Sequence, residues 1–279
     1  MTPRIYDLHC HSTASDGALP PAELVLRAKK NGVTDLALTD HDTVAGINIA
    51  QETAAQQAIN FIPGIELSCT WNKKTFHILG LNINPTNAEL IAGTQGLQQI
   101  RLQRAQKIAA KLEKQKISGA LEAVQLSAGT GMVTRTHFAD FLLKNKHVDS
   151  LQEAFNRYLG QSKPAFVSTE WAPLEQALTW INQAGGVAVV AHPMRYKLTA
   201  SWMRRFLSAF KDCGGLGMEI ITARSNPDEI RRALLFAKQF ELYGSVGSDF
   251  HSPQNQWVEL GRLAPLPINI RPIWQLFTN

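Results

Sequence analysis

The sequence predicts an α/β barrel that carries one helical insertion, and three observations predict it. Short apolar strands alternate with amphipathic helices at both ends of the chain. Histidines and carboxylates stand where most of those strands end, and the middle stretch, residues 99–164, holds helices with no convincing strand between them. Alternating strands and helices argue for a mostly parallel sheet, open or closed. The polar residues favour the barrel, because there the carboxyl ends of the strands meet around one mouth, whereas an open sheet spreads them along a line.

The first strand, Arg4-Ile5-Tyr6-Asp7-Leu8, leads into His9-Cys10-His11-Ser12-Thr13-Ala14-Ser15-Asp16-Gly17. Alternation puts His9 and His11 on one face and Cys10 on the other. Pro20 to Gly32 reads as a helix, with prolines at its start, an apolar stripe and an Asn-Gly stop. Asp35 to Thr39 is a strand ending in Asp40-His41-Asp42. A helix from about Thr43 to Ala58 precedes the apolar run Phe61 to Glu66, whose carboxylate marks the strand end. Thr75 to Leu81 is a strand with His77 inside it.

From about Asn87 the chain turns helical, through Arg101, Arg104, Lys107, Lys111 and Lys114, and leaves by the extended stretch Lys163 to Ser168. Strands then resume after a helix from Pro173 to Ala184. Gly186 to Ala191 delivers His192-Pro193, Leu216 to Ile221 carries Glu219, and Tyr243 to Ser248 delivers Asp249-Phe250-His251, with helices at Ser201 to Cys213 and Pro227 to Phe240 between them. The domain reading is a barrel over 1–98 and 165–279, interrupted by the helical unit 99–164.

A chain of 279 residues, 44% hydrophobic and 18% charged, is a core-forming globular protein. No stretch approaches the ~18 uncharged apolar residues of a membrane span, and the start has no apolar leader segment, so a soluble, cytoplasmic protein with no membrane partner is expected. Nothing points to an obligatory protein partner. Cys10, Cys69 and Cys213 are too few and scattered for a disulfide framework or thiolate zinc site.

The strand ends gather His9, His11, Asp16, Asp40, His41, Glu66, His77, His192, Asp249 and His251, six of the eight histidines. Imidazoles and carboxylates at this density need cations to hold them, so a multinuclear metal centre is the economical reading. Mixed nitrogen and oxygen donors suit manganese, zinc or iron. Two or more metals supply a water deprotonated near neutral pH and neutralise an anionic oxygen pair, which phosphate ester hydrolysis requires.

Asp7-Leu8-His9 with His11, Ser15-Asp16-Gly17, Thr39-Asp40-His41, Pro63-Gly64-Ile65-Glu66, His77, Ala191-His192-Pro193 and Ser248-Asp249 with His251 resemble the PHP (polymerase and histidinol phosphatase) superfamily, in order and over the whole chain. The resemblance implies a distorted, TIM-like barrel of seven β/α units and a trinuclear site. It implies His9, His11, Glu66 and Asp249 on one metal, Glu66, His77 and His192 on a second, and Asp16, His41 and His251 on a third. Glu66 bridges, and Asp40 orients an imidazole. Histidinol phosphatases carry histidine at the Asp16 position. An aspartate there favours a hard ion such as manganese, with zinc or iron as alternatives.

The insertion around Val133 to Ala139 resembles the branch of nucleoside 3',5'-bisphosphate phosphatases, which also act as 5'-to-3' exoribonucleases. That implies nucleoside bisphosphates and short single-stranded RNA with a 5'-phosphate as substrates. Residues 99–164 hold eleven Lys or Arg against five Asp or Glu, a net of +6 beside +5 for the whole chain. A polyanion is therefore drawn to the insertion, although a run of basic residues from 101 to 116 also fits an ordinary solvated helix face. Arg135, Thr136 and His137 at a helix start, with Asp42, are the expected substrate contacts. Trp71 and Trp171 are read as packing residues with an option to stack on a base, and Glu219 as a structural acceptor. The competing readings are another phosphatase of the same superfamily, acting on mononucleotides or histidinol phosphate, an amidohydrolase-type metal hydrolase, and a non-catalytic nucleic-acid-binding module.

Overall fold

The computed structural model describes residues 4–277; Met1 to Pro3, read above as lacking an apolar leader, lie outside that range. The first half of the barrel is β1 (Tyr6–Asp7), α1 (Pro21–Lys30), β2 (Asp35–Leu38), α2 (Ile47–Gln56), β3 (Asn60–Trp71) and β4 (Lys74–Leu81). The helical unit follows as α3 (Ala88–Glu113), α4 (Ala120–Ala128), α5 (Arg135–Lys144) and α6 (Leu151–Ala154), continued by a π-helical turn over Phe155–Leu159. The second half is β5 (Ala172–Pro173), α7 (Leu174–Gln183), β6 (Val187–Val190), α8 (Ala200–Asp212), β7 (Gly217–Thr222), α9 (Pro227–Gln239) and β8 (Tyr243–Gly247). No helix among the described residues is long and apolar enough to cross a membrane.

Local chemistry explains the elements. Pro21 presets the first turn of α1, and Leu24, Val25 and Ala28 make its buried face. Asn226 and Glu229 form a reciprocal capping box at the start of α9. All four residues of β2 and of β6 are buried, as expected of strands covered on both faces.

The strand order is β1-β2-β3-β4-β6-β7-β8, with β5 on β3. Pairing is parallel except around β4, which runs antiparallel to both β3 and β6. This accounts for His77, the one ligand expected inside its strand and not at a strand's carboxyl end. Asn72 and Lys73, both with positive φ (46° and 62°), turn the chain straight back from β3 into β4, leaving no length for a crossover helix. An antiparallel strand starts at the mouth, so His77, opposite Ser68, reaches the site from the first half of β4.

Backbone hydrogen bonds close the barrel between its first and last strands: Leu8 N to Val246 O at 3.0 Å, Asp249 N to His9 O at 2.7 Å and His11 N to Phe250 O at 2.9 Å. Gly247 permits the closure, since a Cβ there would sit 2.3 Å from the Cβ of His9. Ala37, Ile62, Leu79 and Val189, from four strands, pack with Leu8, just after β1, in the barrel's middle. A separate core runs from Ala105 to Val167 in the helical unit. Helix α3 belongs to both, with Leu90 and Leu97 packed on the barrel and Ala105, Ile108 and Leu112 in the second core. The expected boundary at residue 99 therefore falls inside one continuous helix.

Candidate metal centre

The first motif leaves β1 at the mouth and brings His9 Nε2 and His11 Nε2 within 3.1 Å of each other. Both atoms lie 3.3–3.4 Å from Glu66 Oε2 and 3.3 Å from Asp249 Oδ1. A tetrahedral ion with bonds of ~2.0–2.2 Å keeps its ligands roughly 3.3–3.5 Å apart, so these four donors fit one metal. The other Glu66 oxygen, Oε1, lies 3.0 Å from His77 Nδ1 and 3.1 Å from His192 Nε2. Around Asp16 Oδ1 stand His251 Nε2 at 3.3 Å, His41 Nε2 at 3.9 Å and His11 Nδ1 at 3.9 Å. All nine expected ligands thus converge, and the two Glu66 oxygens face different imidazole sets.

The donors also fit cations by what they lack. Asp16 Oδ1, Glu66 Oε2, His41 Nδ1 and His192 Nδ1 are buried with no hydrogen-bond partner. His41 Nδ1 is 2.9 Å from Glu66 Oε2 without making a hydrogen bond. Buried polar atoms are otherwise almost always paired, and cations held in the cluster would partner the two carboxylate oxygens, Asp16 Oδ1 and Glu66 Oε2.

Burial works against a charged Glu66, yet His41, His77 and His9 hold its carboxyl well below the usual range. Burial likewise opposes charge on Asp249, and His9, Arg195 and His251 outweigh it; on Asp16 the opposing groups are His251 and His41. Burial lowers His9 and His11, but carboxylates raise both, through Glu219, Glu66 and Asp249 for His9, and through Asp249 and Glu66 for His11, which is raised to about 10. Burial pushes His41 down to about 4, against the opposing pull of Glu66 and Asp16.

Two supporting roles differ from expectation. Asp40 does not touch an imidazole: it accepts from Ser12 N at 2.7 Å, Ser12 Oγ at 2.6 Å and Ser15 Oγ at 2.6 Å. It reaches His11 only through Ser15, whose Oγ is 3.4 Å from His11 Nδ1, so it fixes the loop carrying His11 and Asp16. The carboxylate that orients an imidazole is Glu219, with Oε1 3.0 Å from His9 Nδ1 and Oε2 accepting from His192 N. Its signal in the sequence was one carboxylate inside the buried strand β7. Arg195, not foreseen, donates to Asp249 Oδ2.

The helical unit is fastened to this centre. Thr134 Oγ1 and Thr136 Oγ1 each donate to Asp16 Oδ2 at 2.9 Å, and Met132 N donates to Ala14 O at 3.1 Å. Gly131 allows that approach, because a Cβ would stand 2.2 Å from Thr13 O.

Beside the cluster opens a cavity of about 440 Å³ that includes Asp16, His41, His77 and His251 in its wall and three guanidinium groups, Arg101, Arg104 and Arg135. Burial and the neighbouring arginines lower Arg104 to about 9 and also lower Arg135, and Arg104 Nε is buried without a partner. Three cations crowded this way make a site for an anion. Trp171 lies under two of them, 5.1 Å from Arg101 and 5.4 Å from Arg104, and is itself buried.

Two expected substrate contacts are corrected. Asp42 is fully buried, accepting from Arg101 Nε at 2.7 Å and Ser68 N at 2.7 Å, so it holds Arg101 in place and does not itself face the cavity. His137 Nδ1 accepts from Thr134 N at 3.1 Å and caps α5; it does not line the cavity. Arg135 and Thr136 do line it. The basic run from 101 to 116 divides in the same way: Arg101 and Arg104 face the cavity, Lys111 donates to Phe166 O, and Lys107, Lys114 and Lys116 are exposed.

A PHP domain model matches residues 7–223. A Haemophilus influenzae protein named 5'-3' exoribonuclease is 45% identical over 272 residues, 98% of each chain. A Chromobacterium violaceum protein named 3',5'-nucleoside bisphosphate phosphatase is 40% identical over 270 residues, covering 96% of this chain and 95% of its own. A solved structure described as an amidohydrolase from Chromobacterium violaceum, with bound sulfate and no metal, superposes with a TM-score of 0.92 at 40% identity, over 97% of this chain and 95% of that one. With the motif order, the barrel and the donor cluster all in agreement, the chain belongs to the PHP domain family.

Proposed function

We propose that this chain is a metal-dependent phosphoesterase that removes the 3'-phosphate of nucleoside 3',5'-bisphosphates and, by the same placement, releases nucleotides from the 5' end of short 5'-phosphorylated RNA. The observation that carries the reading is the adjacency of two anion sites, the donor cluster and the three-arginine cavity, sharing one wall. A ribose bearing two phosphates needs both. The relatives named for these two activities support it.

His9, His11, Glu66 and Asp249 would hold one metal, Glu66, His77 and His192 a second, and Asp16, His41 and His251 a third. Manganese is our assignment for them, on the hard Asp16 oxygen, with zinc or iron as alternatives. Bound metals supply a water deprotonated near neutral pH and charge neutralisation at the phosphoryl oxygens. The chain's own residues do the rest. Arg101, Arg104 and Arg135 bind and orient the 5'-phosphate, Asp42 and Trp171 keep two of those guanidinium groups aimed, and Thr134 and Thr136 hold Asp16. Nucleotides and RNA ends as substrates put the enzyme in the cytoplasm.

Arg135→Ala tests the reading. Loss of a charged phosphate contact costs about 2–4 kcal/mol, on the order of 30-fold to 1000-fold in kcat/KM. The loss is expected on 3',5'-bisphosphates and 5'-phosphorylated RNA and not on a nucleoside 3'-monophosphate. Equal losses on both classes sink the anchoring role. Histidinol phosphate hydrolysed faster than every nucleotide would overturn the substrate class.

A further inference from the structure

A second cavity, of about 460 Å³, adjoins the same donor cluster. Its wall includes His192, Asp249 and His251 from the cluster, together with Thr136, which also lines the arginine cavity. Two features there have no part in the chemistry described so far. Arg224, just after β7, is exposed and makes no hydrogen bond or ion pair among the described residues, whereas Arg195 in the same wall is held by Asp249. Asn255 and Val258 also line the cavity, and between them in sequence stands Trp257, 80% exposed and the only exposed tryptophan of the six. A single exposed apolar side chain needs no explanation. An exposed tryptophan on a segment whose neighbouring residues Asn255 and Val258 line the cavity, together with an unpaired arginine in the wall, offers what binds single-stranded nucleic acid, a stacking face and a phosphate contact.

We infer that this cavity takes the RNA chain downstream of the scissile linkage, with Trp257 stacking on the base of the second nucleotide and Arg224 holding the phosphate that follows it. The inference rests on the function proposed above. With the first nucleotide's 5'-phosphate among Arg101, Arg104 and Arg135, its 3'-linkage falls on the donor cluster. Water oxygen bonds to phosphorus, the bond to O3' breaks, and O3' leaves as a hydroxyl with the water's proton. The phosphoryl group stays on O5' of the second nucleotide, which must extend away from the first. The second cavity is the space on the cluster that the first nucleotide does not use. A bisphosphate has no second nucleotide and leaves this cavity unused, so the cavity separates RNA from mononucleotide substrates.

A length series with manganese tests this, using a nucleoside 3',5'-bisphosphate, a 5'-phosphorylated dinucleotide and a 5'-phosphorylated trinucleotide. Trp257→Ala should raise KM about 10-fold or more on the dinucleotide and trinucleotide, with Trp257→Phe restoring most of the loss. Arg224→Ala should act on the trinucleotide, which alone carries the following phosphate, and lower the salt dependence of its binding by about one in log–log slope. Both variants should hydrolyse the bisphosphate within about 2-fold of the parent, which also reports on folding. Parallel losses on all three substrates, or none on any, overturn the inference. Anisotropy of a labelled trinucleotide with non-hydrolysable linkages keeps the two readings apart. If the parent turns over none of the substrates, the proposed function fails. Equal binding by the parent and the Arg224→Ala/Trp257→Ala double variant refutes the cavity's role whatever the turnover.

Discussion

Thr134 donates its hydroxyl to Asp16 Oδ2 at 2.9 Å, joining the cap of a helix in the insertion to a carboxylate of the candidate metal centre 118 residues earlier. The oxygen left over, Asp16 Oδ1, is the one that faces His251 and has no hydrogen-bond partner. The insertion is thus part of the candidate metal centre as well as a source of positive charge.

Thr136→Val removes one of the two hydroxyls on Asp16 and leaves the Thr134 cap of α5 intact. Groups that orient a metal ligand are worth about 10-fold to 100-fold in metal affinity or activity. The expected result is an enzyme that needs more added metal for full activity, with an unchanged melting temperature. Thr134→Val should show the same metal effect and lose about 1 kcal/mol of stability besides, through the cap. Metal titration of activity and thermal melts decide; an unaltered metal requirement in both variants argues against the clamp.

Glu66→Gln should lower the metal content by more than one ion per chain, because Oε2 and Oε1 serve different imidazole sets. His77→Ala, on one side only, should lose no more than one. Elemental analysis of the purified variants reads this directly, and equal metal contents would show that Glu66 does not bridge.

Glu219→Gln keeps the shape of the barrel interior but replaces the charged partner of His9 Nδ1. The ring loses a carboxylate that makes it more basic, so activity at saturating metal should fall about 10-fold to 100-fold. Full activity in that variant would leave Glu219 a packing residue.

Asp7 offers a pH test. Burial raises its carboxyl to about 6, against the backbone N–H groups of Ser248 and Gly261 that favour the charged form. A raised acid binds its proton more tightly in the folded protein. Its contribution to stability is therefore present in full below the unfolded value near 4 and is lost as pH rises through about 6. Between pH 5 and pH 7 the parent should lose about 1 kcal/mol relative to Asp7→Asn. Denaturant melts of both proteins at the two pH values measure the difference; a constant gap means that Asp7 stays charged throughout.

The order of the main elements and the ten polar residues gathered near the strand ends, which include all nine metal-ligand candidates, were legible in the sequence, because both depend on local pattern. A buried barrel strand is a short apolar run, and a polar ligand at its end interrupts that run visibly, as His192 does after Val190 and Asp249 after Gly247. What a side chain faces is a long-range property, and there only the tertiary structure decided. It put β4 antiparallel, so that His77 enters from the strand's start. It gave the histidine-orienting role to Glu219 in place of Asp40, since only barrel closure shows which carboxylate lies behind His9. It turned Asp42 and His137 from substrate contacts into the groups that hold Arg101 and cap α5. And it sorted the basic residues of α3, which look alike in sequence, into two that face an anion cavity and others that face water, because one helix spans both cores and only part of its length adjoins the site.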